Sequence, residues 1–98
     1  MGTKKDFEDA LKNALRESNE MKKRVIRLML ASIKMAEIEK GTVLEETDLV
    51  NLIQKDIKMR HETIEGAEKA GRQDLILLNR EEIRFLEEFL QTNYLLRK

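Results

Sequence analysis

Apolar residues recur along this chain at intervals of three and four, the repeat of an α-helix with one buried face. Phe7, Ala10, Leu11, Ala14 and Leu15 form the first such stripe and predict a helix over 4–16, with Thr3 as N-cap and Asp6 three residues on as a variant of the capping box. The ESNE segment breaks it, and Asn19 is placed to cap a second helix over 20–40. Val25, Ile26, Leu28, Met29, Leu30, Ala31, Ile33, Ala36 and Ile38 cover more than half of that helix, which predicts the central and most buried element. Gly41 supplies the left-handed residue that ends it.

After the GTVLEET loop, a third helix is expected from Thr47 or Asp48 past His61, with Leu49, Val50, Leu52, Ile53, Ile57 and Ile64 inward and an end between Gly66 and Ala70. A fourth begins just after Gly71 and carries Leu75, Ile76, Leu78, Ile83, Leu86, Phe89 and Leu90 on one broad face, with Leu77 outside it. The short AGR joint predicts that helices 3 and 4 fold back as an antiparallel hairpin. The expected fold is all-α, a four-helix bundle-like single domain over 1–98.

Composition agrees with that pattern. The 98 residues include no proline, four glycines and only four aromatics, Phe7, Phe85, Phe89 and Tyr94, which disfavours strands. With no cysteine there are no disulfides, thiolate nucleophiles or zinc–thiolate sites. The N-terminus reads as amphipathic helix rather than secretory signal, and VIRLMLASIKMA is interrupted by Arg27 and Lys34 and too short to span a bilayer. A cytoplasmic address and no membrane partner are expected.

Nineteen basic and nineteen acidic side chains cancel, which argues against a protein that grips polyanions with its whole surface. Residues 1–44 hold ten Lys/Arg and seven Asp/Glu, net +3, and residues 45–98 hold nine and twelve, net −3. On helix 2, Lys23, Arg27 and Lys34 lie within about 40° of one another, with Arg24 beside them. Such a ridge could straddle phosphates, which makes these four the candidate RNA contacts, although no aromatic interleaves them to stack a base. The competing reading is the solvated side of a buried helix.

Catalytic chemistry is not legible. His61 is followed by Glu62, but the fourth residue after it is Glu65, so the HExxH zinc pattern is absent. Ser18 and Ser32 fall in a joint and a helix interior, and adjacent carboxylates such as Glu81/Glu82 and Glu87/Glu88 point about 100° apart on a helix. Pairing of Arg84 with Glu81, Glu87 or Glu88 would account for several of them. No catalytic residue, metal ligand or cofactor is expected.

The run KKRVIRL from Lys22 to Leu28, Ala31, Ile33, Lys34 and Glu37, Gln54-Lys55, Lys58 to Arg60, then EKAGRQDL and EEIRFLEEFL, resembles the N-terminal part of the YqeY family over about residues 5–90. The joint motif, Glu68, Lys69, Ala70, Gly71, Arg72, Asp74 and Leu75, is its most specific part. The family is helical, with a larger N-terminal domain and a small C-terminal one, and is similar to the tail of GatB, the B subunit of the tRNA-dependent amidotransferase. The resemblance implies a tRNA-associated accessory role, with tRNA or an amidotransferase or aminoacyl-tRNA synthetase subunit as partner. The family label, carbon–nitrogen ligase activity with glutamine as amido donor, is implied only by relatedness. This sequence departs from the pattern where the proline of the family's E-E-Y-L-P ending is Gln91, and the small C-terminal domain is expected to be absent. The function expected is noncatalytic; its rival is a protein-interaction or scaffold module without RNA binding. Tyr94, Leu95 and Leu96 form an apolar tail expected to cover the surface left by the absent C-terminal domain or to pair two chains.

Overall fold

A computed structural model describes residues 3–95. Four helices follow in order, α1 (Lys4–Arg16), α2 (Glu20–Lys40), α3 (Glu46–Ala70) and α4 (Gln73–Leu90), and α4 passes into a single π-helical turn over Gln91–Leu95. Among the described residues there is no strand.

Local chemistry sets most of these boundaries. At the start of α1 the Thr3 hydroxyl accepts from the Lys5 N–H at 3.3 Å, while the Thr3 N–H donates to Asp6 Oδ2 at 2.7 Å. Asn19 Oδ1 accepts from the Lys22 N–H at 3.0 Å and opens α2. Between them Ser18 adopts φ 55°, a left-handed conformation in which its Cβ is strained, and the Asn19 N–H reaches back to the Ala14 carbonyl. Gly41 (φ 78°) and Gly71 (φ 68°) end α2 and α3 in the same conformation without that strain.

Helix α3 departs from the sequence expectation at its start and ends at the far limit of the expected range. It begins at Glu46, because the Glu45 N–H is satisfied by Asp48 Oδ2 at 2.9 Å, and it runs through Gly66 to Ala70. Gly66 keeps an ordinary φ there. A helix-interior glycine costs only about 1 kcal/mol, which the burial of Ile64 and Ala67 on either side offsets.

The hairpin of α3 and α4 is the most closely paired unit, and α1 packs on α2. Two cores result. The larger joins Phe7 of α1, Ile26 and Ile33 of α2, Leu49 and Ile53 of α3 and Leu86 of α4, all with relative exposure of 2% or less. The smaller, Ile64, Ala67, Ile76 and Ile83, lies wholly within the hairpin. The radius of gyration is 14.1 Å, against about 12.6 Å for a compact chain of this length, so the molecule is elongated.

Tyr94 does not serve as a free tail. Its ring centroid lies 6.5 Å from Phe7 and 6.2 Å from Phe89, its hydroxyl donates to the Thr3 carbonyl at 3.3 Å, and only Leu95 beside it is exposed. Leu96 lies outside the described residues. The departure at Gln91 explains this arrangement: its N–H donates to the Glu87 and Glu88 carbonyls, which a proline in its place could not do. The helix therefore continues far enough to bring Tyr94 back onto α1.

Candidate functional site

Helix α2 is less covered than its composition predicts. Val25, Ile26, Met29 and Ile33 are buried, but Leu28, Met35 and Ile38 are 54%, 66% and 71% exposed, and Ala31 is exposed with them. At 100° per residue these four fall on one side, opposite the buried set. One face of α2 takes α1, α3 and α4, and among the described residues no helix packs on the other.

The four basic residues of the predicted ridge have different fates. Lys23 is mostly covered and its ammonium lies 2.5 Å from Glu20, whose carboxyl is held below the usual range chiefly by that hydrogen bond. The Arg24 guanidinium turns inward and donates to Glu82 Oε2 from Nη2 at 2.6 Å and from Nε at 3.2 Å. Arg27 and Lys34 are exposed, form no ion pair, and border the Leu28–Met35–Ile38 strip. The ridge of four is thus two outward cations and two that serve local structure.

Glu82 is the residue that the sequence reading missed. Its side chain is 5% exposed, and besides Arg24 it accepts from Arg60 of α3, whose Nε donates to Asp56 at 2.7 Å. Two guanidinium and two carboxylate groups therefore neutralise one another where α2, α3 and α4 meet, between the two cores. Asn79, one turn earlier, is also buried and donates to the Leu75 carbonyl at 2.8 Å. The available signal was spacing, since Asn79 and Glu82 continue the stripe of Ile76, Ile83 and Leu86. Conversely, Leu78, expected inward, is 37% exposed, Leu77 is outside as expected, and Arg84 pairs with none of its neighbouring glutamates.

The EKAGRQDL motif forms the tip of the hairpin. Glu68, Lys69, Ala70, Gly71, Arg72 and Asp74 are exposed and Leu75 is half-buried. Arg72 and Asp74 form a two-pronged pair at 2.9 and 3.1 Å, which lowers the Asp74 carboxyl through hydrogen bonding. Both side chains are more than half exposed, so solvent screens that pair and it adds little to stability.

Along the seam of α2 and α3 runs an open groove. One section is lined by Ala36, Leu44, Asp48, Asn51, Leu52 and Lys55, and the next, about 320 Å³, by Met29, Met35, Ala36, Leu52, Lys55 and Met59, with Glu39 shared by both. Its other charges are consumed internally: Lys40 pairs with Asp48 at 2.7 Å, and Asp56 with Arg60. His61 is exposed, and among the described residues no group of three or more His, Asp or Glu could hold a metal ion. No helix there is long and apolar enough to cross a membrane.

These features define a small all-helical module with an apolar, cation-edged outer face. By its match to the family model "Yqey-like protein" over residues 4–94, the chain belongs to the YqeY family. It is 33% identical over 93 residues, 94% of this chain and 48% of the relative, to "Altered inheritance of mitochondria protein 41, mitochondrial" of Vanderwaltozyma polyspora. The protein of the same name from Eremothecium gossypii is 32% identical over 81 residues, covering 82% of this chain and 44% of that protein. The chain spans about half the length of the curated relatives it matches. The cytoplasmic address expected from sequence contrasts with the mitochondrial names of both relatives.

Proposed function

We propose that this chain is a noncatalytic accessory module of the machinery that aminoacylates or amidates tRNA, and that it acts by contact through the outer face of α2. The setting rests on the resemblance to the YqeY family and the GatB tail. The contact surface rests on one observation, the exposure of Leu28, Met35 and Ile38 beside the unpaired Arg27 and Lys34. Exposed apolar side chains of that size support a protein partner, an amidotransferase or synthetase subunit, because a phosphate backbone offers them nothing to bury against. Action without catalysis is supported by chemistry: glutamine-dependent amidation needs a nucleophile and a nucleotide site, and no arrangement of the described residues suggests either.

Direct tRNA contact is the second reading, favoured by Arg27 and Lys34, which form no ion pair among the described residues. Two phosphate contacts would give weak binding with a shallow salt dependence. The compartment, cytoplasmic or mitochondrial, belongs to this proposal as well. Titration against bulk tRNA at two salt concentrations, alongside co-purification with an amidotransferase or synthetase subunit after nuclease treatment, separates the two readings. Sustained ammonia release from glutamine by the isolated protein would overturn the noncatalytic role.

A further inference from the structure

We propose that Met35 and Met59 form a peroxide-sensitive pair, and that their conversion to sulfoxides makes the exposed side of α2 polar and releases the protein docked there. The consequence for docking rests on the contact reading above; the chemistry of the pair does not.

Sulfur chemistry in this chain falls to methionine, because there is no cysteine to compete for an oxidant. Four of the five methionines lie among the described residues, and packing sorts them. Met35 of α2 is 66% exposed and Met59 of α3 is 53% exposed, whereas Met29 is 3% exposed and Met21 is partly buried against the larger core. Susceptibility follows access of the oxidant to the sulfur, so the first two react and Met29 is shielded. Both open side chains line one cavity of about 320 Å³ on the seam of α2 and α3.

The step balances with hydrogen peroxide as co-reactant. A sulfur lone pair attacks one peroxide oxygen, the O–O bond breaks and an S–O bond forms. The sulfur gives up two electrons, and the departing hydroxide takes the proton of the transferred oxygen and leaves as water. Peroxide is neutral, so Glu39 and Asp56 in the lining do not repel it. The same lining supplies hydrogen-bond donors for the product, the Ser32 hydroxyl and the ammonium of Lys55, which forms no ion pair among the described residues. Both donors are exposed, so the sulfoxides leave the fold with no buried, unpartnered polar group.

The docking face changes more than the fold. At 100° per residue Met35 lies about 20° from Leu28 and about 60° from Ile38, within the exposed apolar strip of α2. A sulfoxide there, drawn toward the Lys55 ammonium, puts a polar group into that strip, and a protein covering it must strip water from both groups. Leu28 and Ile38 hold nothing that peroxide oxidises, so the change is confined to the methionines, and reduction of the sulfoxides restores the surface.

The test treats the full chain with hydrogen peroxide at neutral pH and follows each methionine by peptide mass spectrometry. Met35 and Met59 are expected to gain one oxygen each at least tenfold faster than Met29, with helicity unchanged and retention on a hydrophobic-interaction column lowered. Methionine sulfoxide reductases for both epimers, supplied with a dithiol, are expected to restore the retention. A Met35→Leu, Met59→Leu variant, whatever its own starting retention, is expected to show no drop with peroxide. Oxidation of Met29 as fast as Met35, loss of helicity on oxidation of the pair, or an equal drop in the leucine variant overturns the inference. Association with the nuclease-treated amidotransferase is expected to fall at least tenfold on oxidation and to return on reduction; association undiminished with both residues oxidised also overturns it. A reduced chain that shows no association removes the contact reading instead, and the mass spectra and column then decide the methionine pair by themselves.

Discussion

Arg24 and Glu82 stand 58 positions apart in the chain, and the guanidinium of one donates twice to a single carboxylate oxygen of the other, at 2.6 and 3.2 Å. Glu82 is buried and Arg24 half-exposed, so the pair crosses from solvent to the junction of the two cores. Its meaning for the fold follows from desolvation: a carboxylate withdrawn from water is tolerated only while its partners remain.

Removing Glu82 should therefore cost more than removing Arg24. Glu82→Ala leaves Arg60 buried with Asp56 as its remaining carboxylate and is expected to lower stability by about 3 kcal/mol; Arg24→Ala, at a half-exposed position, costs about 1 kcal/mol. Urea denaturation of the single and double variants reads this out, the double falling short of the sum. Equal effects for both single variants would place the burial cost elsewhere. The same geometry bears on tests of RNA binding: reversal of Arg24 sets a carboxylate against Glu82 and damages the fold, so only Arg27 and Lys34 are suitable there.

Replacing Gln91 with proline, the residue of the family pattern, should be harmful in this chain. It removes an N–H that donates to Glu87 and Glu88 carbonyls and turns the chain before Tyr94 reaches Phe7. A loss of about 3 kcal/mol is expected, with exposure of the Tyr94 ring to solvent measurable by its fluorescence.

Ser18→Gly should stabilise. The left-handed backbone at Ser18 costs a Cβ-bearing residue about 1–2 kcal/mol, and the greater freedom of glycine in the unfolded chain returns part of that. A net gain of about 0.5–1 kcal/mol, seen as a rise of a few degrees in Tm, is the expected result.

Acid should weaken the fold through surface carboxylates on either side of the α2–α3 loop. Glu37 lies below its usual value of 4.5, first because it accepts from the Leu44 N–H and then because of Lys4; Asp48 is lowered first by Lys40. A carboxyl lowered by folding contributes stability that is present above its unfolded pKa and disappears as pH falls through its folded one. Tm is therefore expected to hold between pH 7 and about 5 and to decline below about pH 4.5. Glu37→Gln should shallow that decline; an unchanged acid limb would remove Glu37 from the explanation.

Much of this architecture was legible because its boundaries are written in side chains. Thr3, Asn19, Gly41 and Gly71 each satisfy or redirect specific backbone groups, so α1 and α2 have the bounds that the capping residues predict. The end of α3 was bracketed between Gly66 and Ala70 but not fixed, because a glycine signal is local while the burial of Ala67 and Ile64 that carries the helix past Gly66 is tertiary. Glu82 read as a solvated acid because it is paired in sequence with Glu81; its partners come from two other helices. The candidate surface was half legible. Spacing grouped Lys23, Arg27 and Lys34, but only the packing of α2 shows that Arg24 and Lys23 are engaged within the fold and that Leu28, Met35 and Ile38 face outward.

The most direct measurement is association of the purified chain with a nuclease-treated tRNA-dependent amidotransferase containing its B subunit, comparing the unaltered protein with a Leu28→Glu, Met35→Glu, Ile38→Glu variant. These positions are exposed, so the variant should keep its helicity. Binding that persists without RNA and falls at least tenfold in the variant is the predicted result. Binding that vanishes with nuclease, or that is undiminished by the three substitutions, would contradict a protein-docking role for the outer face of α2.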